Sequence, residues 1–292
     1  MCELSKNILL NSGHEMPLIG LGTYTITDPT VLHDALDYAL GAGYRHIDTA
    51  TVYRNEAFIG NSLKILLPKY NLTREDLFIT SKFIPLAKDN ESYVIEAVEA
   101  SLRNLQLNYL DLYLIHWPAA RGIPMQSSEN AKFRNIAWTG LISAQKKGLC
   151  RSIGVSNYLE NHLKEVLEHP LGIPPAVNQV EWHPHHHSPD LLDFCRLQNI
   201  FLQAYSSLGG GQGLLTQDPV VQRVATKIRK SGSQVLLQWA VQKGVGVVPK
   251  ARSKQHIEDN IALDFTIPED DMKLLDHMEH RQKYAWDPAN VY

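Results

Sequence analysis

Short apolar runs alternate with longer amphipathic stretches along most of the chain. Residues 19–22, 46–48, 78–81, 112–115, 152–155, 176–180, 201–205 and 246–248 are apolar runs too brief for helices, and the pattern predicts strands. Between them, apolar residues recur at helical spacing over 31–40, 56–67, 93–105, 133–147, 160–168, 189–198 and 220–228. A further helix is predicted at 234–242 before the last strand, and another at 254–263 after it. Gly41 and Gly43 close the first helix as glycine does at a helix C-terminus. Ahead of the alternation, two apolar stretches flank Asn11-Ser12-Gly13-His14, a turn-forming cluster, which predicts a small hairpin over 7–18.

Eight strands alternating with helices imply a parallel sheet, because each crossover returns the chain to the same end. Such a sheet is either open and doubly wound or closed into a barrel. An open dinucleotide-binding sheet carries Gly-x-Gly-x-x-Gly after its first strand. Here Gly20-Leu21-Gly22-Thr23-Tyr24-Thr25 lacks the third glycine. The strand count and the length of 292 residues fit a (β/α)8 barrel. No linker or low-complexity tract divides the chain, so one domain over 1–292 is expected.

Composition narrows the function classes. Apolar residues make up 44% and charged ones 20%, as in ordinary globular proteins. A net charge of −3 with no basic stripe argues against a nucleic-acid partner. Cys2, Cys150 and Cys195 are too few and too scattered for a disulfide framework, which fits a reducing, cytoplasmic location. The N-terminus lacks the pattern of a signal peptide, and no apolar run is long enough to cross a bilayer. His183-Pro184-His185-His186-His187 invites a metal reading, but neighbouring loop histidines diverge. They are expected to face solvent, with no metal bound.

A barrel of this kind carries its chemistry at the C-terminal ends of its strands. Those ends hold Asp48 with Tyr53 just beyond, Lys82, and His116 with Trp117. Singly, each has a structural explanation: a capping carboxylate, a solvated lysine, a core histidine. Together they can donate a proton. A phenol near pKa ~10 is a poor acid, an ammonium lowers it, and a carboxylate holds the ammonium. A histidine can orient a carbonyl oxygen. No serine or cysteine nucleophile motif stands out, so the attacking group would come from a cofactor, and a nicotinamide hydride fits.

At these residues the chain resembles the aldo-keto reductase superfamily, over about Pro17 to Asn290. The motifs are Gly41-x-Gly43-Tyr44-Arg45-x-Ile47-Asp48-Thr49-Ala50 with Tyr53, Leu114-Ile115-His116-Trp117-Pro118, Ile153-Gly154-Val155-Ser156-Asn157, Asn178-Gln179-x-Glu181, Tyr205-Ser206 and Val248-Pro249-Lys250. The resemblance implies a metal-free TIM barrel that reduces small carbonyl compounds with NADPH, NADH being a weaker substitute. It implies a monomer, with a C-terminal tail (279–292) over the active-site face. The family's tetrad falls on Asp48, Tyr53, Lys82 and His116, with Tyr53 the general acid. Tyr205 would stack on the nicotinamide, and Ser156, Asn157 and Gln179 would hold its carboxamide, with Thr23, Tyr24 and Asp48 close by. Ser206, Ser207, Leu208 and the glycine run from Gly209 to Gly213 would wrap the pyrophosphate. Lys250, Ala251, Arg252, His256, Asp259 and Asn260 would meet the adenosine phosphate and adenine. Tyr24, Tyr53, Ile84, His116, Trp117 and Trp286 would line the substrate mouth, along with Tyr284.

Two departures bear on cofactor choice. Ala251 stands where relatives usually have serine, and His256 where they have arginine, which removes a hydroxyl and a permanent cation from the 2′-phosphate pocket. A reduced preference for NADPH over NADH is expected. Short loops after Pro118 and Leu208 imply an open mouth and broad specificity. The same fold also serves as lens crystallin and potassium-channel subunit, so a non-catalytic NADPH-binding role is the alternative; the site could also run in the alcohol-oxidising direction.

Overall fold

The computed structural model describes residues 7–210 and 213–292. Cys2, and Gly211 and Gln212 of the glycine run, lie outside the described residues. A hairpin of β1 (Asn7–Leu9) and β2 (Glu15–Pro17) precedes eight parallel strands: β3 (Leu21–Gly22), β4 (His46–Asp48), β5 (Phe78–Phe83), β6 (Leu110–Ile115), β7 (Cys150–Ser156), β8 (Val177–Glu181), β9 (Phe201–Tyr205) and β10 (Gly246–Val247). The helices are α1 (Pro29–Gly41), α2 (Glu56–Lys69), α3 (Ser92–Leu105), α4 (Glu129–Lys146), α5 (Glu160–Leu167), α6 (Pro189–Leu197), α7 (Pro219–Ile228), α8 (Gly232–Gln242), α9 (Lys254–Ile261) and α10 (Glu269–Asp276).

The strands pair in chain order, and the first meets the last. Gly20 N donates to Val247 O at 2.8 Å, Val247 N to Leu18 O at 2.7 Å, and Gly22 N to Pro249 O at 3.0 Å. These bonds close the sheet into a (β/α)8 barrel with no free edge. Gly22 sits on the seam, where an added Cβ would lie 2.5 Å from Val248 O, so only glycine lets the two backbones meet.

The apolar strand faces and the inner faces of the helices form one large core that includes Leu36, Ile79, Tyr113, Trp138 and Trp239. A smaller cluster joins Leu10 and Met16 of the hairpin to Phe78, Leu112, Leu114 and Val177, so the hairpin packs onto inward-facing barrel residues. Local signals set the helix ends. Asp28 Oδ1 accepts from Thr30 N and Val31 N at 2.9 Å, Pro29 opens α1, and Gly43 follows it with φ +96°. Ser231 and Gln234 form a capping box on α8. Among the described residues, no helix is long and apolar enough to cross a membrane.

Candidate active site

Strand register brings the first polar row together. Asp48 pairs with Gly22 on one side and Thr80 on the other, at the end of β4. Lys82, two residues further along β5, reaches back with its fully buried ammonium to Asp48 Oδ1 at 2.6 Å and to Thr49 O at 2.9 Å. Gln179 of β8 donates to the other Asp48 oxygen at 2.8 Å. The carboxylate therefore has a partner on each oxygen, as a buried charge requires.

Tyr53 follows on a 3-10 turn (Thr51–Tyr53). Its ring centroid is 5.1 Å from Lys82 Nζ, 5.7 Å from the His116 ring and 5.0 Å from the Tyr24 ring. No described hydrogen bond joins the phenol to the ammonium. Burial raises the Tyr53 pKa well above 10, and the Asp48 carboxylate adds to the rise. This differs from the downward shift the sequence implies, because Asp48 offsets the Lys82 charge and desolvation dominates. Burial lowers Lys82, with Asp48 opposing. His116 is held at about 3 by burial and then by Lys82, so its imidazole is neutral. Its Nδ1 is buried without a partner among the described residues. A buried N–H without an acceptor is rarer than an unpaired acceptor, so we assign the ring proton to Nε2.

A second row lies across β7, β8 and β9, where Ser156 pairs with Gln179 and Gln179 with Gln203. Ser156 Oγ donates to Gln179 O at 2.8 Å. Asn157, in the left-handed region at φ 65°, donates to His116 O at 2.9 Å and to Ser156 Oγ at 3.1 Å, and accepts from the Tyr205 hydroxyl at 2.6 Å. Its amide is thus committed within the protein. Gln179 Nε2 is also committed, to Asp48 and, at 2.6 Å, to Gln203 Oε1, but none of the described bonds uses Gln179 Oε1. Of the three side chains anticipated for a carboxamide, Gln179 presents a free acceptor. Gln203, fully buried, went unnoticed in the sequence because an amide in a strand has no distinguishing pattern.

Thr23 lies beneath this site, its hydroxyl donating to Asp48 O at 2.9 Å. Past β9, Ser206 takes φ 50° and accepts from Gly209 N at 2.8 Å, while Ser207 is buried and Leu208 packs on the core. Gly209 and Gly210 have φ of +75° and +71°, and a Cβ on Gly209 would lie 2.7 Å from Leu215 Cβ. The missing side chains let Leu215 and Tyr284 pack close against this turn, in which both glycines hold the left-handed region.

Further round, a cavity of about 550 Å³ is lined by Thr216, Arg229, Lys230, Ser231, Ser233 and His256, among others. Of the residues anticipated at the adenosine end, His256 lines it. Ala251 and Asn260 are buried, Arg252 is tied to Thr25 O at 2.7 Å, and Asp259 accepts from Gln255 at 2.9 Å. Lys250 bridges to Gly22, its pKa lowered by partial burial and then by Arg252.

At the mouth, Tyr24 is more than half exposed. The tail carries Trp286 to Trp117, rings edge-on at 6.2 Å. Ile84 follows β5 and is half-buried, with no ring or hydrogen-bond contact to the others. Two expectations need correction. Tyr284 is turned from the mouth, its hydroxyl 2.8 Å from His185 Nδ1 and its ring against Gly209 and Gly210. The histidine run is not solvent-facing: His183 and His185 are buried, and His186 and His187 partly so. The tail covers them, and Glu181 anchors it, accepting from Lys283 Nζ at 2.6 Å and from the backbone N–H groups of Tyr284 and Ala285. Among the described residues, no cluster of metal-ligating side chains is present.

A barrel with a carboxylate, an ammonium, a phenol and a neutral imidazole gathered at its C-terminal mouth is the architecture of an enzyme. The family model "Aldo/keto reductase family" matches residues 18–280. The chain is 39% identical to an aldo/keto reductase of Synechocystis, covering 96% of this chain and 90% of that protein. It is 37% identical to the glyoxal reductase of Bacillus subtilis, covering 99% and 98%. The crystal structure of a Bombyx mori aldo-keto reductase in complex with NADP superposes with a TM-score of 0.86 at 32% identity, covering 96% of this chain and 94% of that one. The protein belongs to the aldo/keto reductase family, a family of oxidoreductases.

Proposed function

We propose that this chain reduces aldehydes and ketones to alcohols, with NADPH as hydride donor and Tyr53 as general acid. The observation that carries the reading is the buried Lys82–Asp48–Gln179 chain beneath the Tyr53 and His116 rings. The cofactor fits the donor set: Gln179 Oε1 faces no protein donor, Gly209 and Gly210 form a positive-φ turn just past β9, and His256, Arg229 and Lys230 line a polar cavity beyond. When bound, NADPH supplies the hydride.

The protein's residues supply orientation and the proton. Neutral His116 donates from Nε2 to the carbonyl oxygen and so orients it. Tyr53, held protonated by its burial, sits beside that oxygen and transfers its proton as alkoxide character develops. The Lys82 ammonium, fixed by Asp48, stabilises the phenolate left behind. Tyr24, Trp117 and Trp286 make the mouth aromatic, and the exposure of Tyr24 and Trp286 leaves it open, which suits small or apolar carbonyl compounds. The same reading takes the chain as one domain acting as a monomer in the cytoplasm, where the free, buried thiols Cys150 and Cys195 stay reduced.

Tyr53→Phe tests the assignment. NADPH consumption with a panel of aldehydes and ketones should fall by about three orders of magnitude or more while NADPH affinity changes little. A variant that still turns over near the wild-type rate would remove Tyr53 from the chemistry.

A further inference from the structure

The mechanism above leaves the buried histidine loop unused. His185 is nearly inaccessible, and it touches two other segments of the chain. Its Nε2 lies 3.2 Å from Asp218 Oδ2 and its Nδ1 lies 2.8 Å from the Tyr284 hydroxyl. A neutral ring satisfies both contacts: Nε2–H donates to the carboxylate, and Nδ1 accepts from the phenol. The other Asp218 oxygen accepts from Val220 N at 2.8 Å and caps α7. Backbone bonds fix the loop to the tail, with Gln282 N donating to His185 O and Arg281 Nη1 to Pro184 O, both at 3.0 Å.

Tyr284 transmits this clamp to a functional surface. Its ring atom Cε2 lies 3.2 Å from where a Cβ on Gly209 would stand, and its own Cβ lies 3.3 Å from the same point on Gly210. The ring therefore lies directly on the two glycines, whose lack of side chains lets it approach.

We propose that His185 is a positioning residue for the dinucleotide: it holds Tyr284 against Gly209 and Gly210, the backbone that would carry the pyrophosphate. Cofactor retention then depends on an imidazole that touches neither cofactor nor substrate. The inference rests on the NADPH reading above. Replacing the imidazole leaves the Tyr284 hydroxyl and one Asp218 oxygen, both half-buried, without their protein partner. The ring then loses the contact that fixes its tilt, and the glycine backbone loses its backing.

The test is NADP+ binding and release by the full-length chain, followed by quenching of tryptophan fluorescence in stopped flow, without turnover. His185→Phe and Tyr284→Phe should each speed NADP+ release by about three- to tenfold, the size of one hydrogen bond. The double variant should add little to either single one. His185→Gln, which can bridge the same two partners, should restore slow release. A purely structural role would lower the melting temperature of these variants and leave release unchanged, which would overturn the proposal. Tyr284→Phe removes a single oxygen and decides the matter if His185→Phe does not fold. Wild-type protein that fails to bind NADP+ would overturn the cofactor reading and this inference with it. Tight wild-type binding with unaltered variants would overturn this inference alone.

Discussion

At the residue scale, the decisive side chains are polar groups whose neighbours come from distant parts of the chain. Asp48 and Lys82 are 34 residues apart, and Gln179 is 131 from Asp48, yet all three meet within hydrogen-bond distance. Their identities stood out in the sequence because each lies within two residues of the C-terminal end of its strand. Their protonation did not. The raised Tyr53 and the depressed His116 follow from burial, which no local pattern records. The histidine run was misread for the same reason: consecutive histidines look solvated until a remote tail covers them. Cofactor choice also belongs at this scale. His256 lines the cavity with Arg229 and Lys230, and Arg252 is drawn off to Thr25 O. His256→Arg would add a permanent cation and should raise the ratio of NADP+ to NAD+ affinity by about two- to fivefold, measured as dissociation constants. An unchanged ratio would place the 2′-phosphate elsewhere.

At the element scale, Gly22 shows why the seam has no alternative. Gly22→Ala puts a methyl group 2.5 Å from Val248 O, so either the β3–β10 contact or the backbone must shift. Urea unfolding should show a loss of about 2 kcal/mol or more, and a change under about 0.5 kcal/mol would mean that the seam is compliant. All eight barrel strands were legible, each within two residues of its observed limits, since buried parallel strands read as unbroken apolar runs. Helix α10 was not. It opens with Glu269, Asp270 and Asp271, and only Asp271 and Leu275 are buried, so it carries little apolar periodicity. Tertiary contacts hold it: Lys227 reaches Asp271 at 2.7 Å, and Trp239 Nε1 donates to Asp276 at 2.7 Å.

At the scale of the whole molecule, acid should be the weak direction. His46 and His187 are held at about 4 and His116 at about 3, each chiefly by burial. Unfolded chain takes up protons at these sites below about 6.5 and the native state does not, so the stability they contribute is full above 6.5 and falls as pH drops toward 3. Glu181 follows. Burial pushes it up, but bonds from His183, Lys283 and Tyr284 N–H outweigh that and hold it at about 2. Its contribution is full above about 4.5 and lost toward 2, and the tail it anchors goes with it. Melting temperatures should fall steadily from pH 7 to pH 4, and Glu181→Gln should make the fall below 4.5 shallower by removing its share while that of the histidines remains. A profile flat down to pH 4 would mean that these histidines are not kept neutral.

The bonds from Leu18, Gly20 and Gly22 to Val247 and Pro249 span some 230 residues, and this bears on how the protein is made. During synthesis the β3 backbone emerges early and waits, unpaired on one side, until nearly the whole chain has been translated. A nascent chain stalled before Val247 is an open ribbon with two sticky margins, the form most prone to aggregate or to need a chaperone.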